Sequence, residues 1–172
     1  MAKVVIIIAQ QNFNDKEFSI TKSVLEESEI DIDIASITKQ ECVGMYGLKV
    51  SPNKTVGDIV TEYYDALIII GGSGSLELLK YPEVVNRIKS FASQNKLIAA
   101  ICLAPIVLAK AGILKGIMST VFPTDFAISA LKQGGAHYTD KHVVVDGNII
   151  TADGPDSALG FVKEILKKLK GQ

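Results

Sequence analysis

The sequence predicts an α/β fold in which a mostly parallel sheet is packed between two layers of helices. Short, continuously apolar runs of strand length alternate with amphipathic stretches of helix length along the chain, a pattern typical of parallel sheets that are covered on both faces. The chain has 172 residues, close to the common size of one domain. We therefore expect residues 1–172 to form a single domain with its ligand site at the carboxyl ends of the strands.

The first two strands and the helix between them are predicted within residues 4–34. Residues 4–9 are continuously apolar and mostly β-branched, as expected for a strand buried on both faces. Asn14 or Asp15 then caps a helix that runs to about Ser28. Residues 30–34 alternate strictly between isoleucine and aspartate, which predicts a half-exposed strand nearer the edge of the sheet.

The middle of the chain contains an excursion from the sheet and two further buried strands. Residues 39–57 are irregular and rich in glycine, which indicates a small hairpin outside the main sheet. Residues 66–70 form a buried strand that ends in the glycine-rich run 71–74. A helix starts at Pro82 and continues through Gln94, and residues 97–101 form the next buried strand.

The last third of the chain continues the alternation of helices and strands. Residues 103–111 are predicted to be helical, with a proline tolerated in the first turn, and a further helix covers about 125–132. Residues 143–150 predict two short strands around an Asp-Gly turn. Pro155 begins the closing helix, whose apolar residues recur at helical spacing.

Composition excludes several classes of function. Eighteen basic residues balance nineteen acidic ones, which leaves no net positive field for nucleic-acid binding. The longest apolar stretch, residues 97–109, contains a proline and is shorter than the roughly 20 residues of a membrane span. Two cysteines without paired Cys/His spacing favour neither a disulfide framework nor a structural metal site. We expect a cytoplasmic protein that uses no metal or cofactor and binds neither membranes nor nucleic acid.

Cys102 is the candidate nucleophile. It lies between a buried strand and a predicted helix, the position of a nucleophile elbow, where helix N–H groups favour the reactive thiolate. The alternative is a small buried hydrophobic residue, the usual role of a free cysteine. Cys42 has no comparable setting, and we interpret it as structural.

Two further elements complete the candidate site. The backbone amides of Gly71, Gly72 and Ser73 follow a buried strand and, with the amide of Leu103, are suited to hold a developing oxyanion; a bare turn is the alternative. Glu17 falls in the first turn of the first helix. It either meets the helix dipole at the surface or is buried beside Cys102, where its pKa rises and it can exchange protons with the thiol.

The residues around Cys102 carry a family resemblance. Residues 99–105 read AAICLAP and resemble the Ala-Ile-Cys-x-x-Pro elbow of the ThiJ/PfpI superfamily, which includes the human Parkinsonism-associated oxidative-stress protein and archaeal intracellular peptidases. The resemblance spans the chain through DALIIIGG, GGA, VDGNIIT and GP at residues 65–72, 134–136, 145–151 and 154–155. It implies a flavodoxin-like sandwich, usually a homodimer, in which a protonated glutamate, here Glu17, bonds the elbow cysteine.

This chain departs from the superfamily at its histidine and arginine positions. Leu103 stands where the peptidases have a histidine after the cysteine, and Phe122 stands where the Parkinsonism-associated branch has its histidine. Asp153 replaces an arginine that often precedes the Gly-Pro pair and disfavours an anionic ligand if it faces the site. The two histidines, His137 and His142, are expected on the surface or in a strand rather than as catalytic bases.

The resemblance implies several activities, because members act as peptidases, cofactor-independent glyoxalases, protein deglycases, chaperones and oxidation sensors. Since both usual imidazole positions are apolar, we favour a stress-protective enzyme that acts on small reactive carbonyls through Cys102 and Glu17, with Phe122 beside the substrate. The first alternative is a redox-sensing or chaperone-like protein in which Cys102 is oxidised. An intracellular cysteine peptidase is the second, and the lack of a site histidine disfavours it.

A homodimer is also implied by the resemblance. An apolar set of side chains in the irregular segment could supply the contact between copies or could belong to the core: Met45, Tyr46, Leu48 and Val50.

Overall fold

The computed structural model describes residues 1–171 and contains twelve strands and five α-helices within them. The strands are β1 (Lys3–Ile7), β2 (Gln11–Phe13), β3 (Asp31–Ser36), β4 (Cys42–Gly44), β5 (Lys49–Val50), β6 (Lys54–Thr55), β7 (Ala66–Ile69), β8 (Leu97–Ile101), β9 (Met118–Ser119), β10 (His137–Tyr138), β11 (Val143–Asp146) and β12 (Ile149–Ala152). The helices are α1 (Asp15–Glu27), α2 (Pro82–Ser93), α3 (Pro105–Lys110), α4 (Asp125–Gln133) and α5 (Ala158–Leu169).

The central sheet has seven strands in the order β11-β12-β8-β7-β1-β3-β6. Every neighbouring pair in it is parallel except β11 and β12, which form the antiparallel hairpin predicted from the Asp-Gly turn. The predicted α/β fold with a mostly parallel sheet is therefore confirmed. Parallel pairing brings the carboxyl ends of β1, β7 and β8 to one edge of the sheet, where the loops after them meet.

Helices cover both faces of the sheet. Alternate side chains of β1 enter two separate cores, with Val5 and Ile7 among the side chains of α2, α3 and α4, and Val4 and Ile6 among those of α1 and α5. This two-sided burial explains why the strand is continuously apolar, since a residue on either face loses its contact with water. None of the helices within residues 1–171 is long and apolar enough to cross a membrane.

The start of α1 is tied to two other parts of the chain. Asn14 caps the helix by accepting a hydrogen bond from the Glu17 backbone N–H at 3.0 Å. The carboxylate of Asp15 accepts bonds from the backbone N–H groups of Tyr46 and Leu48 at 3.0 and 2.8 Å, which fixes the hairpin of β4 and β5. Within the predicted excursion at residues 39–57, β4 and β5 form a small hairpin that is attached to the first turn of α1. The prediction is wrong at its end, because β6 pairs with β3 and belongs to the central sheet.

The expected exposure pattern of β3 is wrong at Asp33. Strict alternation predicts outward aspartates, yet Asp33 is only 6% exposed. Its carboxylate accepts hydrogen bonds from the Tyr64 hydroxyl at 2.6 Å and from the Asn53 amide at 2.7 Å. Lys3 Nζ lies 3.3 Å from Asp33 Oδ2. A buried carboxylate is tolerated when it is paired in this way.

The helix after Cys102 is shorter than predicted. It covers Pro105–Lys110, preceded by a turn at residues 102–104, rather than the whole of residues 103–111. Proline has a fixed φ and no N–H, so it suits the first helical position better than the third. The short pair β9 and β10 was not predicted, because two-residue strands leave no periodic signal.

Candidate active site

Cys102 lies on a strained turn directly after β8. Its φ is +66°, a left-handed value that costs a non-glycine residue of the order of 1–2 kcal/mol. The turn is held from both sides, because the Cys102 N–H donates to the Ala152 carbonyl at 2.9 Å and the Cys102 carbonyl accepts from the Phe122 N–H at 2.8 Å. This is the geometry predicted for a nucleophile elbow.

Glu17 is fully buried at the amino end of α1. One carboxyl oxygen, Oε1, accepts a hydrogen bond from the Gly71 N–H at 2.9 Å. The other, Oε2, is buried and has no hydrogen-bond partner among residues 1–171. The interpretation of Glu17 as a surface residue at the helix dipole is therefore wrong, because the bonds at the start of α1 turn its side chain into the protein.

The Glu17 carboxyl and the Cys102 thiol shift the pKa of one another, although their geometry falls short of a formed hydrogen bond. Burial raises the pKa of Glu17 to about 7, against opposing effects of the Gly71 N–H and the Cys102 thiol. Burial, followed by the negative charge of Glu17, raises the pKa of Cys102 to about 12. The carboxyl therefore ionises before the thiol, and it does so near neutral pH.

Two backbone amides, those of Gly72 and Leu103, face the Cys102 sulfur and lower the pKa of the thiol. The prediction that amides at the elbow favour the thiolate has the correct direction, but burial and the charge of Glu17 outweigh them. The Gly71 amide is engaged by Glu17 and is not available to an oxyanion. Ser73 is exposed and lines a different cavity with Gln11 and Tyr81.

Gly71 is required for the close approach of β7, α1 and the elbow. A Cβ atom at this position would lie 2.5 Å from the Cys102 Cβ, 2.9 Å from Glu17 Oε1 and, most severely, 2.4 Å from the Ile101 carbonyl oxygen. Each of these separations is below ordinary van der Waals contact. The glycine-rich run therefore does more than form a turn, since its first residue leaves room for the carboxyl and the thiol to meet.

A cavity of about 200 Å³ lies beside Phe122, whose backbone N–H donates to the Cys102 carbonyl of the elbow. Phe122, which is 39% exposed, forms part of its wall, and Asp153 and His142 form another part. His142 Nδ1 lies 2.8 Å from Asp153 Oδ2, and the Ser157 hydroxyl donates to Asp153 Oδ1 at 2.5 Å. Asp153 thus faces the cavity. The sequence alone did not indicate this orientation.

The cluster of His142, Asp153 and Ser157 was missed by sequence reasoning. His142 is on the surface, as expected, with a side chain that is 84% exposed, but the partner that orients it is eleven residues away along the chain. Only the antiparallel pairing of β11 and β12 brings the two residues opposite each other. His137 is exposed in β10 and takes no part in this cluster. Within residues 1–171, no group of three or more His, Cys, Asp and Glu side chains is arranged to hold a metal ion.

Comparison with known proteins identifies relatives over the whole chain. A sequence model of the DJ-1/PfpI family matches residues 2–168. An uncharacterized protein of Methanocaldococcus jannaschii is 46% identical over 98% of this chain and 83% of its own length. A Pyrococcus horikoshii protein named a deglycase is 29% identical over 96% of this chain and 99% of its own length. The crystal structure of Drosophila melanogaster DJ-1beta superposes with a TM-score of 0.90 at 31% identity, covering 100% of this chain and 92% of that one.

Proposed function

The chain belongs to the DJ-1/PfpI family, and from this premise we propose that it is a cysteine-dependent enzyme that acts on small reactive carbonyl compounds, in the manner of a glyoxalase or deglycase. The observation that carries the proposal is the buried pair of Glu17 and Cys102, with a carboxyl pKa of about 7. A proton-transfer group is most effective when its pKa lies near the working pH. The deglycase name of the Pyrococcus horikoshii relative supports the same substrate class.

The first step is the addition of the Cys102 thiol to an aldehyde. The sulfur forms a bond to the carbonyl carbon, the π electrons move to the carbonyl oxygen, and the thiol proton passes to the free Glu17 Oε2. The amides of Gly72 and Leu103 stabilise the negative charge that develops on the sulfur. Glu17 then returns the proton to the alkoxide, which gives a neutral hemithioacetal on Cys102.

This assignment uses a carboxylic acid where amide hydrolysis uses an imidazole. A peptidase must also protonate an amine leaving group, and Leu103 and Phe122 occupy the two positions at which relatives were expected to carry histidine. The addition of a thiol to an aldehyde has no such leaving group. The addition step is therefore one that Glu17 can support without an imidazole.

The experiment is turnover of methylglyoxal by the purified protein, with the loss of aldehyde and the release of lactate followed together. We expect both in the wild-type protein and neither in Cys102→Ala. Cys42→Ala is the matched control, since Cys42 is also buried and unpaired but lies in β4, and it should keep the wild-type rate. Thermal unfolding of each variant shows whether it is folded.

Two results would contradict the proposal. Equal turnover in Cys102→Ala and the wild-type protein would exclude Cys102 as the nucleophile. No turnover in the wild-type protein, together with stoichiometric oxidation by peroxide confined to Cys102, would favour the oxidation sensor instead.

A further inference from the structure

The proposed reaction includes a second proton transfer. After methylglyoxal has added to Cys102, the hemithioacetal must lose the hydrogen on its former aldehyde carbon, C1, and gain one on the neighbouring carbon, C2, before it can become a thioester of lactate. Glu17 has by then returned its proton to the alkoxide and is a carboxylate again, but it is 0% exposed. A base that is open to water and reaches the adduct from another side is suited to this transfer.

The cavity beside Phe122 is lined by a histidine, His142, whose ring is held by the carboxylate of Asp153. Asp153 accepts a hydrogen bond from Ser157 on Oδ1 and holds His142 Nδ1 on Oδ2, so the carboxylate is fixed between two partners. The backbone reinforces this pairing, because the Asp153 N–H donates to the His142 carbonyl at 3.0 Å. A carboxylate at Nδ1 selects the tautomer that has its proton there, which leaves Nε2 as a proton acceptor.

The cluster is attached directly to the elbow. Ala152, which accepts the Cys102 N–H, precedes Asp153 in the chain, and Phe122, which bonds the Cys102 carbonyl, shares the cavity wall with His142. Phe122 therefore belongs both to the hydrogen bonds that hold the elbow and to the wall of the cavity that His142 lines. The fold thus places an imidazole, that of His142, directly before β11, whereas Leu103 and Phe122 stand where histidines were expected.

We propose that His142, oriented by Asp153 and Ser157, is the second proton-transfer group of this enzyme; the inference rests on the function proposed above. His142 Nε2 removes the proton from C1 of the hemithioacetal, and the electron pair forms an enediolate. Protonation at C2 then gives the lactoyl thioester of Cys102, in which C1 is oxidised and C2 reduced. Water releases lactate and restores the thiol, so no external oxidant or reductant is consumed.

The exposure of His142 predicts the origin of the new hydrogen in lactate. Its side chain is 84% exposed, so a proton held on Nε2 exchanges with water before it is returned. In heavy water, lactate should therefore carry deuterium at C2. Glu17 is 0% exposed, and a proton carried by Glu17 would return as protium, as would a hydride shifted directly between the carbons.

The test compares His142→Gln with His137→Gln, the matched change at the other histidine. Two quantities are measured with methylglyoxal: the adduct on Cys102, by mass spectrometry, and lactate, by release assay and by NMR in heavy water. We expect His142→Gln to form the adduct as fast as the wild-type protein but to release lactate about 100-fold more slowly, the scale of one lost acid-base group. His137→Gln should match the wild-type protein in both quantities.

The outcomes separate this inference from the function on which it rests. If Cys102→Ala abolishes lactate release while His142→Gln releases it at the wild-type rate, the carbonyl enzyme stands and the role of His142 is wrong. Wild-type lactate that retains protium at C2 also overturns that role. If the wild-type protein forms neither adduct nor lactate, both proposals fail together.

Discussion

Replacing Glu17 by glutamine should remove a dependence of stability on pH. The glutamine has almost the same shape and keeps an oxygen that can accept the Gly71 N–H, whereas it carries no titrating proton. Glu17 is 0% exposed, so ionisation places its charge where water cannot solvate it. Unfolding exposes the ionised carboxylate to water. The free energy of unfolding of the wild-type protein therefore depends on pH through Glu17, whereas that of the variant does not.

The size and sign of the effect follow from the pKa of Glu17, which is 4.5 when unperturbed and about 7 in the folded protein. Between these values the folded state binds more protons than the unfolded state, so the free energy of unfolding falls as pH rises. The stabilisation is complete below about pH 4.5 and is lost above about pH 7. The difference corresponds to about 3 kcal/mol, most of it between pH 5 and pH 8.

The assay is urea unfolding of the wild-type protein, Glu17→Gln and Glu27→Gln at pH 5 and pH 8. Glu27 lies on the same helix but is exposed, so its variant should reproduce the wild-type loss of stability between the two pH values, while Glu17→Gln should lose much less. His142, whose pKa is raised by its bond to Asp153, is present in all three proteins and cancels. An equal loss of stability between pH 5 and pH 8 in Glu17→Gln and the wild-type protein would refute the raised pKa of the buried Glu17 carboxyl.

Three other predictions concern the same site. Glu17→Gln should lower the pKa of the Cys102 thiol, since the charge of Glu17 is one cause of its elevation; an ultraviolet titration of the thiolate that is unchanged by the substitution would contradict this contact. The rate of methylglyoxal turnover should rise with pH through about 7 as Glu17 becomes a carboxylate able to accept the thiol proton, and a flat profile in the wild-type protein would exclude that role. Gly71→Ala should destabilise the fold by about 1–3 kcal/mol in urea unfolding because its Cβ would overlap the Ile101 carbonyl. Gly57→Ala, whose Cβ would make only an ordinary contact with Thr55 Oγ1 at 3.8 Å, should change stability by less than about 0.5 kcal/mol. Similar losses in the two variants would show that the overlap at Gly71 is relieved elsewhere.

Much of the fold could be predicted because burial on two faces leaves a strong pattern in the sequence. The continuous apolar runs identify β1, β7 and β8, and the strand-Cys-helix order identifies the elbow. Asp33 shows the limit of such patterns: alternation indicates which residues share a face, but a buried aspartate is indistinguishable from an exposed one until Tyr64 and Asn53 are seen to bond it. Local sequence does not contain those distant partners.

In the candidate site, too, local sequence indicates some residues, whereas the roles of others depend on tertiary contacts. Cys102 and the amides that face its sulfur are close together in sequence or follow a recognisable strand end, so position alone indicates them. The burial of Glu17 depends on contacts with a glycine 54 residues away. The pairing of His142 with Asp153 depends on the register of an antiparallel hairpin. Tertiary contacts of this kind decide which way a side chain points, and no spacing rule supplies them.

The first turn of α1 couples the site to the rest of the molecule. Asp15 holds two amides of the β4–β5 hairpin, and Glu17, two residues later, holds the amide of Gly71. Fraying of this turn would release all three N–H groups in one event, as a cooperative unit of local opening. Native-state hydrogen exchange should then give Tyr46, Leu48 and Gly71 a common opening free energy. The access of solvent to Glu17 would be governed by the same event, so that motion of a surface hairpin sets how often the buried carboxyl meets water.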